Sequence, residues 1–309
     1  MGPLLDSILS PAFGFAILRI MTPILFPTIG VAISSLAGSI NIAMEGTMLM
    51  SAFTGVIVSY FTKNIYLALL AGILVGVTMG FVLGYFHLKL KADIILSAIA
   101  LNMFASGFTI FMLFLIAKDK GTSISLRSLV FPDIHLPLIK EIPIIGEILS
   151  GHNLLTYVAI LSIIFMYFLI YKTRLGLRIR AVGQNPDAAE SVGIDVKRIK
   201  LYSLLISGFF GALGGLYLSM GYVSWFGRDM TAGRGFIAVA ASNLGGHLPL
   251  GVFISSLFFG LINAISIYLA PLRLPSEFTH LIPYVTTIIA LTFYSIRMTR
   301  KKKAYKGKI

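Results

Sequence analysis

Hydrophobic positions in this chain come in long runs rather than at helical or alternating spacing. Apolar stretches occupy roughly 12–34, 43–61, 65–87, 94–117, 152–171, 201–222, 233–247, 250–270 and 281–296. A run of about 20 apolar residues is the length an α-helix needs to cross a bilayer. The pattern therefore predicts an all-α, polytopic transmembrane helical bundle of about nine spans. The seventh run is short and opens on Gly233 and Gly235, so it is expected to be either a full crossing or a half-helix.

Composition strengthens this reading. Of 309 residues, 57% are hydrophobic and 12% charged, about half the charge needed to clothe a water-facing surface. A single transmembrane domain over 1–309 leaves no room for a soluble catalytic domain. Cysteine is absent, which excludes disulfides and thiolate metal sites. No Lys or Arg precedes the first apolar run, so that run is expected to be a retained span rather than a cleaved leader.

The net charge of +13 is uneven. One set of alternate loops, with the tail 297–309, carries sixteen basic residues against five acids, whereas the other carries nine against seven. Basic loops stay in the cytoplasm, so the C-terminus is expected inside and, with nine crossings, the N-terminus outside.

Polar residues interrupt the apolar pattern in few places. Between the first two runs, Ser34, Ser35, Gly38, Ser39, Asn41, Glu45 and Gly46 fall where neither run has clearly ended. Irregular backbone at membrane depth is tolerated where it is buried in protein or lines a watery cavity, and an intramembrane carboxylate is costly enough to mark a functional position. Asn41 and Glu45, with Asn102, Ser242 and Asn243, are thus candidates for a translocation pathway. The alternative for Glu45 is an interfacial turn in which it stabilises the start of the second helix. Gly72, Gly76, Gly80 and Gly84 form a small-residue stripe suited to helix packing or to a sliding seam.

The long basic loop at 173–199 contains its own helix signal. Asn185 suits an N-cap, Pro186 the first helical position and Gly193 a terminator. About two turns between basic arms would be unstable alone and need a partner. Outside the membrane on the other side, Lys118, Lys120, Arg127, Arg228 and Arg273 are candidates for pairing with an acidic partner surface.

Several motifs, in order along the chain, resemble the ribose and nucleoside branch of bacterial ABC importer permeases, and among them the nucleoside (guanosine-type) subunits. Asp187-Ala188-Ala189 followed by Gly193 is similar to the EAA-x-x-x-G pattern, with Asp for Glu. The run Arg180-Ala181-Val182-Gly183-x-Asn185-Pro186 resembles R-A-V-G-x-N-P, and Asn41-Ile42-x-x-Glu45-Gly46 resembles N-I-x-x-E-G. Gly233-Arg234-Gly235-Phe236-Ile237-Ala238 completes the set. The chain departs from the branch in its uncharged residues before Asn41 and in Asp93, where an amide is common.

The resemblance implies a permease subunit that is not an enzyme and binds no cofactor, with ATP and Mg held by a separate cytoplasmic ATPase of two nucleotide-binding halves. Consistent with this, no G-x-x-x-x-G-K-[ST] phosphate loop occurs. It further implies a second, related permease chain, an extracytoplasmic binding protein or lipoprotein, and residues 185–193 as the coupling helix. Two other classes compete on the residues alone. An ion-coupled secondary transporter would want acids deep in its spans, where only Glu45 qualifies. A membrane-embedded enzyme would want clustered chemistry, but the five histidines are scattered.

Overall fold

In the computed structural model the described residues are 10–135 and 145–269, with positions 285 and 292. The rest of the apolar segment at 281–296, the tail and Arg273 lie outside them. The first long run forms α1 (Pro11–Leu36), entered through Ser10 with Pro11 in the first helical turn. Pro23 and Pro27 lie inside it; each removes an intrahelical hydrogen bond. The bare surface of Gly214 covers this stretch, its position within reach of Pro27 Cδ and the Pro23 carbonyl.

The following helices are α2 (Met44–Thr62), α3 (Ile65–Gly84) ending in a π-turn at Tyr85–Lys89, and α4 (Ile94–Ala117). Then come α5 (Ile145–Leu149) and α6 (Leu154–Lys172). Strands β1 (Asp133–Ile134) and β2 (His152–Asn153) pair antiparallel, Asp133 opposite Asn153. Polar side chains set several starts. Asn64 Oδ1 accepts from the Tyr66 and Leu67 amides, and Asp93 Oδ1 from those of Ile95 and Leu96. On the loop at 173–199 stand α7 (Arg174–Gln184) and α8 (Pro186–Ser191), followed by α9 (Val196–Tyr217) with a π-turn at Leu218–Tyr222, α10 (Arg234–Leu244) and α11 (Pro249–Leu269).

Six helices among the described residues are long and apolar enough to cross a bilayer: α1, α3 with its π-turn, α4, α6, α9 with its π-turn, and α11. Helix α2 has 19 residues but falls outside the six. Its sequence carries Glu45, Thr47, Ser51, Thr54 and Ser59, which lower its hydropathy, and it is sheltered by neighbours: Met44, Met48 and Ala52 are fully buried. Helix α10, with 11 residues, is about 16 Å long at 1.5 Å per residue, roughly half the hydrocarbon core.

Helices α1 and α9 form the centre of the bundle, while α4 is peripheral. The glycine stripe of α3 faces α9. A Cβ on Gly76 would come 2.6 Å from the Gly208 carbonyl oxygen, and one on Gly84 would come 2.6 Å from Leu201 Cδ1. Gly80 lies against the Leu204 carbonyl. Two backbones meet directly along this seam, the small-residue packing that membrane helices use in place of hydrophobic association.

Candidate functional site

The polar residues between α1 and α2 do not form a surface turn. After Leu36 the chain reverses through Gly38, held at φ +74°, and runs back beside α1. The Asn41 amide donates to Ser34 Oγ (3.3 Å), and Asn41 Nδ2 donates to Ser207 Oγ (3.0 Å). Asn41 Oδ1 accepts from the Ala43 amide at 3.0 Å, turning the chain into α2. Ser207 lies eleven residues into α9, about 16 Å along its axis, so this return segment reaches into the bundle.

Asn102 fixes the start of α2 from the side. Its Oδ1 accepts from the Gly46 amide (2.8 Å) and its Nδ2 donates to the Ile42 carbonyl (3.0 Å). Gly46 is needed for this approach, because a Cβ there would stand 2.9 Å from Asn102 Cα. Asn102 is eight residues into α4, about 12 Å from its end.

Glu45 points from the first turn of α2 to the start of α10. Its two oxygens accept from the Gly233 amide (2.8 Å) and the Gly235 amide (2.7 Å). Those amides are among the orphan donors at a helix N-terminus, where the positive end of the helix dipole favours a carboxylate. The glycines around Arg234 have separate reasons. Gly233 takes φ +77°, which favours glycine. Gly235 passes so close to Glu45 that a Cβ would lie 2.6 Å from the Glu45 Cα. The two motifs, N-I-x-x-E-G and G-R-G, are therefore two halves of one clamp.

Ser242 and Asn243 lie at the far end of α10, about 12 Å from this clamp. Ser242 is fully buried, with its Oγ 2.9 Å from His247 Nδ1, and Asn243 is half-buried. The structure thus brings Asn41, Glu45 and Asn102 together and leaves Ser242 and Asn243 apart. Sequence reasoning missed Ser207, the partner of Asn41. It also missed Asp229, which accepts from Ser106 Oγ at 2.9 Å and draws the loop ahead of α10 down beside α4.

In the loop at 173–199, Asn185 Oδ1 accepts from the Ala188 amide (3.0 Å), capping α8. Gly193, at φ +81°, ends it, with the Ile194 amide returning to the Ala189 carbonyl at 3.1 Å. Ala189 is buried, whereas Pro186, Asp187 and Ala188 are exposed and Val192 is 75% exposed. The preceding α7 is anchored by buried Ile179 and Val182, and its Gly183 rests on the carbonyl of Leu36, the last residue of α1. The exposed helix is thereby linked, through α7, to the end of α1 where the return segment begins.

At the other end, the loop containing Lys118, Lys120 and Arg127 is stitched to the loop containing Arg228. The Ser123 amide donates to the Phe226 carbonyl (2.8 Å), Ser128 to that of Ser224 (2.8 Å), and Arg228 to that of Gly121 (2.7 Å). These four cations share one pair of loops. Arg228 Nε stands 3.4 Å from Asp229 Oδ2, so its charge is partly answered. His152 lies near this end, stacked on Phe15 at 3.9 Å and hydrogen-bonded through Nε2 to the Ile148 carbonyl. Its burial lowers the imidazole pKa below 6.5. Among the described residues, no group of His, Asp and Glu is arranged to hold a metal ion.

Long apolar helices around a buried break and a short helix define a multi-pass membrane protein. The family described as branched-chain amino acid transport system / permease component matches residues 14–291, and the chain belongs to it. The chain is 32% identical over 284 residues to the nucleoside ABC transporter permease protein NupC of Lactococcus lactis, covering 88% of this chain and 89% of that one. It is 33% identical over 281 residues to the guanosine ABC transporter permease protein NupQ of Bacillus subtilis, covering 87% and 88%. A second guanosine permease protein of that bacterium, NupP, is 26% identical over 307 residues, covering 94% and 84%. The resemblance drawn from the motifs is borne out: the chain is an ABC transporter permease and is not itself an enzyme.

Proposed function

We propose that this chain imports nucleosides, or a related ribose-type solute, as the translocating subunit of a transporter driven by a separate ATPase. The observation that carries this reading is the similarity to the nucleoside and guanosine permeases, at 32–33% identity over nearly nine-tenths of the chain. ATP and Mg belong to the partner ATPase, which has two nucleotide-binding halves. A second permease chain completes the pathway, a reading supported by the likeness of this chain to both NupQ and NupP. A single domain over 1–309 makes about nine crossings, counting α2, the segment 233–247 that holds the short α10, and segment 281–296, with the N-terminus outside and the C-terminus in the cytoplasm.

Helix α8 is the coupling helix. Asn185 caps it, Ala189 holds it to the bundle, and Pro186, Asp187, Ala188 and the chain up to Gly193 face the ATPase. Closure of the ATPase moves α8 and α7 as a rigid body. Gly183 passes that displacement to Leu36, and so to the segment carrying Asn41, the clamp at Glu45 and Asn102. Asn41, Glu45, Asn102, Ser242 and Asn243 frame the translocation pathway, with Glu45 holding its two discontinuous helices together. Lys118, Lys120, Arg127, Arg228 and Arg273 receive the extracytoplasmic binding protein or lipoprotein. An ion-coupled mechanism fits less well, because both oxygens of Glu45 are already engaged by backbone amides.

Uptake of labelled guanosine, adenosine and ribose by cells lacking the chain tests the proposal. Nucleoside uptake should fall to background and return with the wild-type chain. It should not return with bulky residues at Asp187, Ala188, Ala189 and Gly193. Unchanged nucleoside uptake in the deleted strain, or rescue that depends on an ion gradient and not on ATP, would overturn it.

A further inference from the structure

A cleft of about 430 Å³ opens between the end of α3 and the start of α9, at the same end of the bundle as α8. Its rim carries Lys89, Lys91, Lys197 and Arg198, and its floor includes Phe81 and Leu201. Arg198 is paired with Asp195 at 2.8 Å. Among the described residues, no carboxylate lies within salt-bridge distance of the three lysines. The π-turn at Tyr85–Lys89 gathers this group by setting Lys89 Nζ 5.2 Å from the Tyr85 ring. Such turns inside α-helices recur at functional sites.

An exposed apolar stripe that runs on from Phe81 and Tyr85, which line the cleft, points to what fills it. Leu70, Leu74, Phe81 and Tyr85 of α3 and its π-turn are 56%, 65%, 47% and 39% exposed. They run along the helix away from the glycine seam that packs on α9. A soluble anion has no use for this stripe, whereas an acyl chain would cover it. Basic pockets between transmembrane helices at the cytoplasmic surface suit anionic headgroups.

We propose that this cleft is a binding site for an anionic phospholipid of the inner leaflet. The phosphate sits among Lys89, Lys91 and Lys197, and an acyl chain lies along Phe81 and Leu74. The lipid would brace the turn between α3 and α4 against the start of α9, the helix that follows the coupling element. The proposal rests on the proposed orientation, with the α8 end in the cytoplasm, and not on which solute is carried.

The test uses the assembled transporter in nanodiscs of phosphatidylcholine with phosphatidylglycerol, and counts the phosphatidylglycerol retained per permease after exchange into zwitterionic detergent. Each lysine near an anionic leaflet contributes roughly fivefold, so the combined K89Q, K91Q and K197Q variant should retain phosphatidylglycerol at least about tenfold less tightly. The three Lys→Arg substitutions should preserve retention, and Lys63→Gln at the other end should not alter it. Unchanged retention in the triple Gln variant would overturn the site, as would an equal loss in K63Q. Displacement of the lipid by millimolar inorganic phosphate would assign the rim to a soluble anion. Loss of the ATPase with retention of the lipid would make it a protein interface. Either result would contradict the proposal.

Discussion

Glu45→Gln tests the clamp between α2 and α10. The carboxylate accepts two backbone hydrogen bonds, at 2.8 and 2.7 Å. Charge-assisted bonds contribute about 1.5–3 kcal/mol each, and the charge at a helix N-terminus about 0.3–1 kcal/mol more. Glutamine keeps one acceptor oxygen but turns an NH2 group toward the other glycine amide, so one bond and the charge are lost, about 2–4 kcal/mol. Aspartate would keep the charge, but its side chain is one methylene too short to reach both amides. The expected result for E45Q is uptake reduced at least about tenfold and a lower unfolding temperature for the purified complex, with membrane insertion retained. Gly235→Ala should act on the same contact, since its Cβ would stand 2.6 Å from the Glu45 Cα. The double variant should therefore be less damaging than the sum of the singles, the mark of residues in one interaction. An E45Q protein with wild-type stability but a raised KM would refute the clamp and make Glu45 a solute contact.

Asn185→Ala removes the hydrogen bond to the Ala188 amide and should destabilise α8 by about 1 kcal/mol, read as weaker solute-stimulated ATPase activity with basal hydrolysis unchanged. Gly183→Ala forces a Cβ against the Leu36 carbonyl; uptake should fall while the ATPase still copurifies. His152 predicts a pH dependence. Its folded pKa lies below 6.5, so the unfolded imidazole protonates first, and stability should fall as pH drops below 6.5 while being insensitive to this group at higher pH. Thermal melts of H152F should lose that part of the slope.

Much of the bundle was legible because a bilayer imposes a minimum apolar length that hydropathy reports directly. The cap at Asn185, the stop at Gly193 and the glycine stripe on α3 were legible because each depends on local spacing. Depth was not. The run at 233–247 reads as one apolar stretch, yet helix forms only over Arg234–Leu244; its start is set by the left-handed Gly233 and, from outside the run, by Glu45. The direction of Glu45 was likewise hidden. It sits where it could stabilise its own helix, and only the fold brings the Gly233 and Gly235 amides, some 190 positions along the chain, within reach. Gly183 read as one residue of a family motif; its contact with Leu36 follows from how α7 packs under α1, which no spacing along the chain encodes.

The most direct measurement of the account is guanosine uptake into proteoliposomes holding the permease with its copurified ATPase, second permease chain and binding protein, with ATP supplied on the side of α8. Accumulation that requires ATP, is indifferent to proton and sodium gradients, and is abolished by bulky residues at Asp187 and Gly193 is the expected result. Accumulation driven by an ion gradient without ATP, or undiminished by those substitutions, would contradict it.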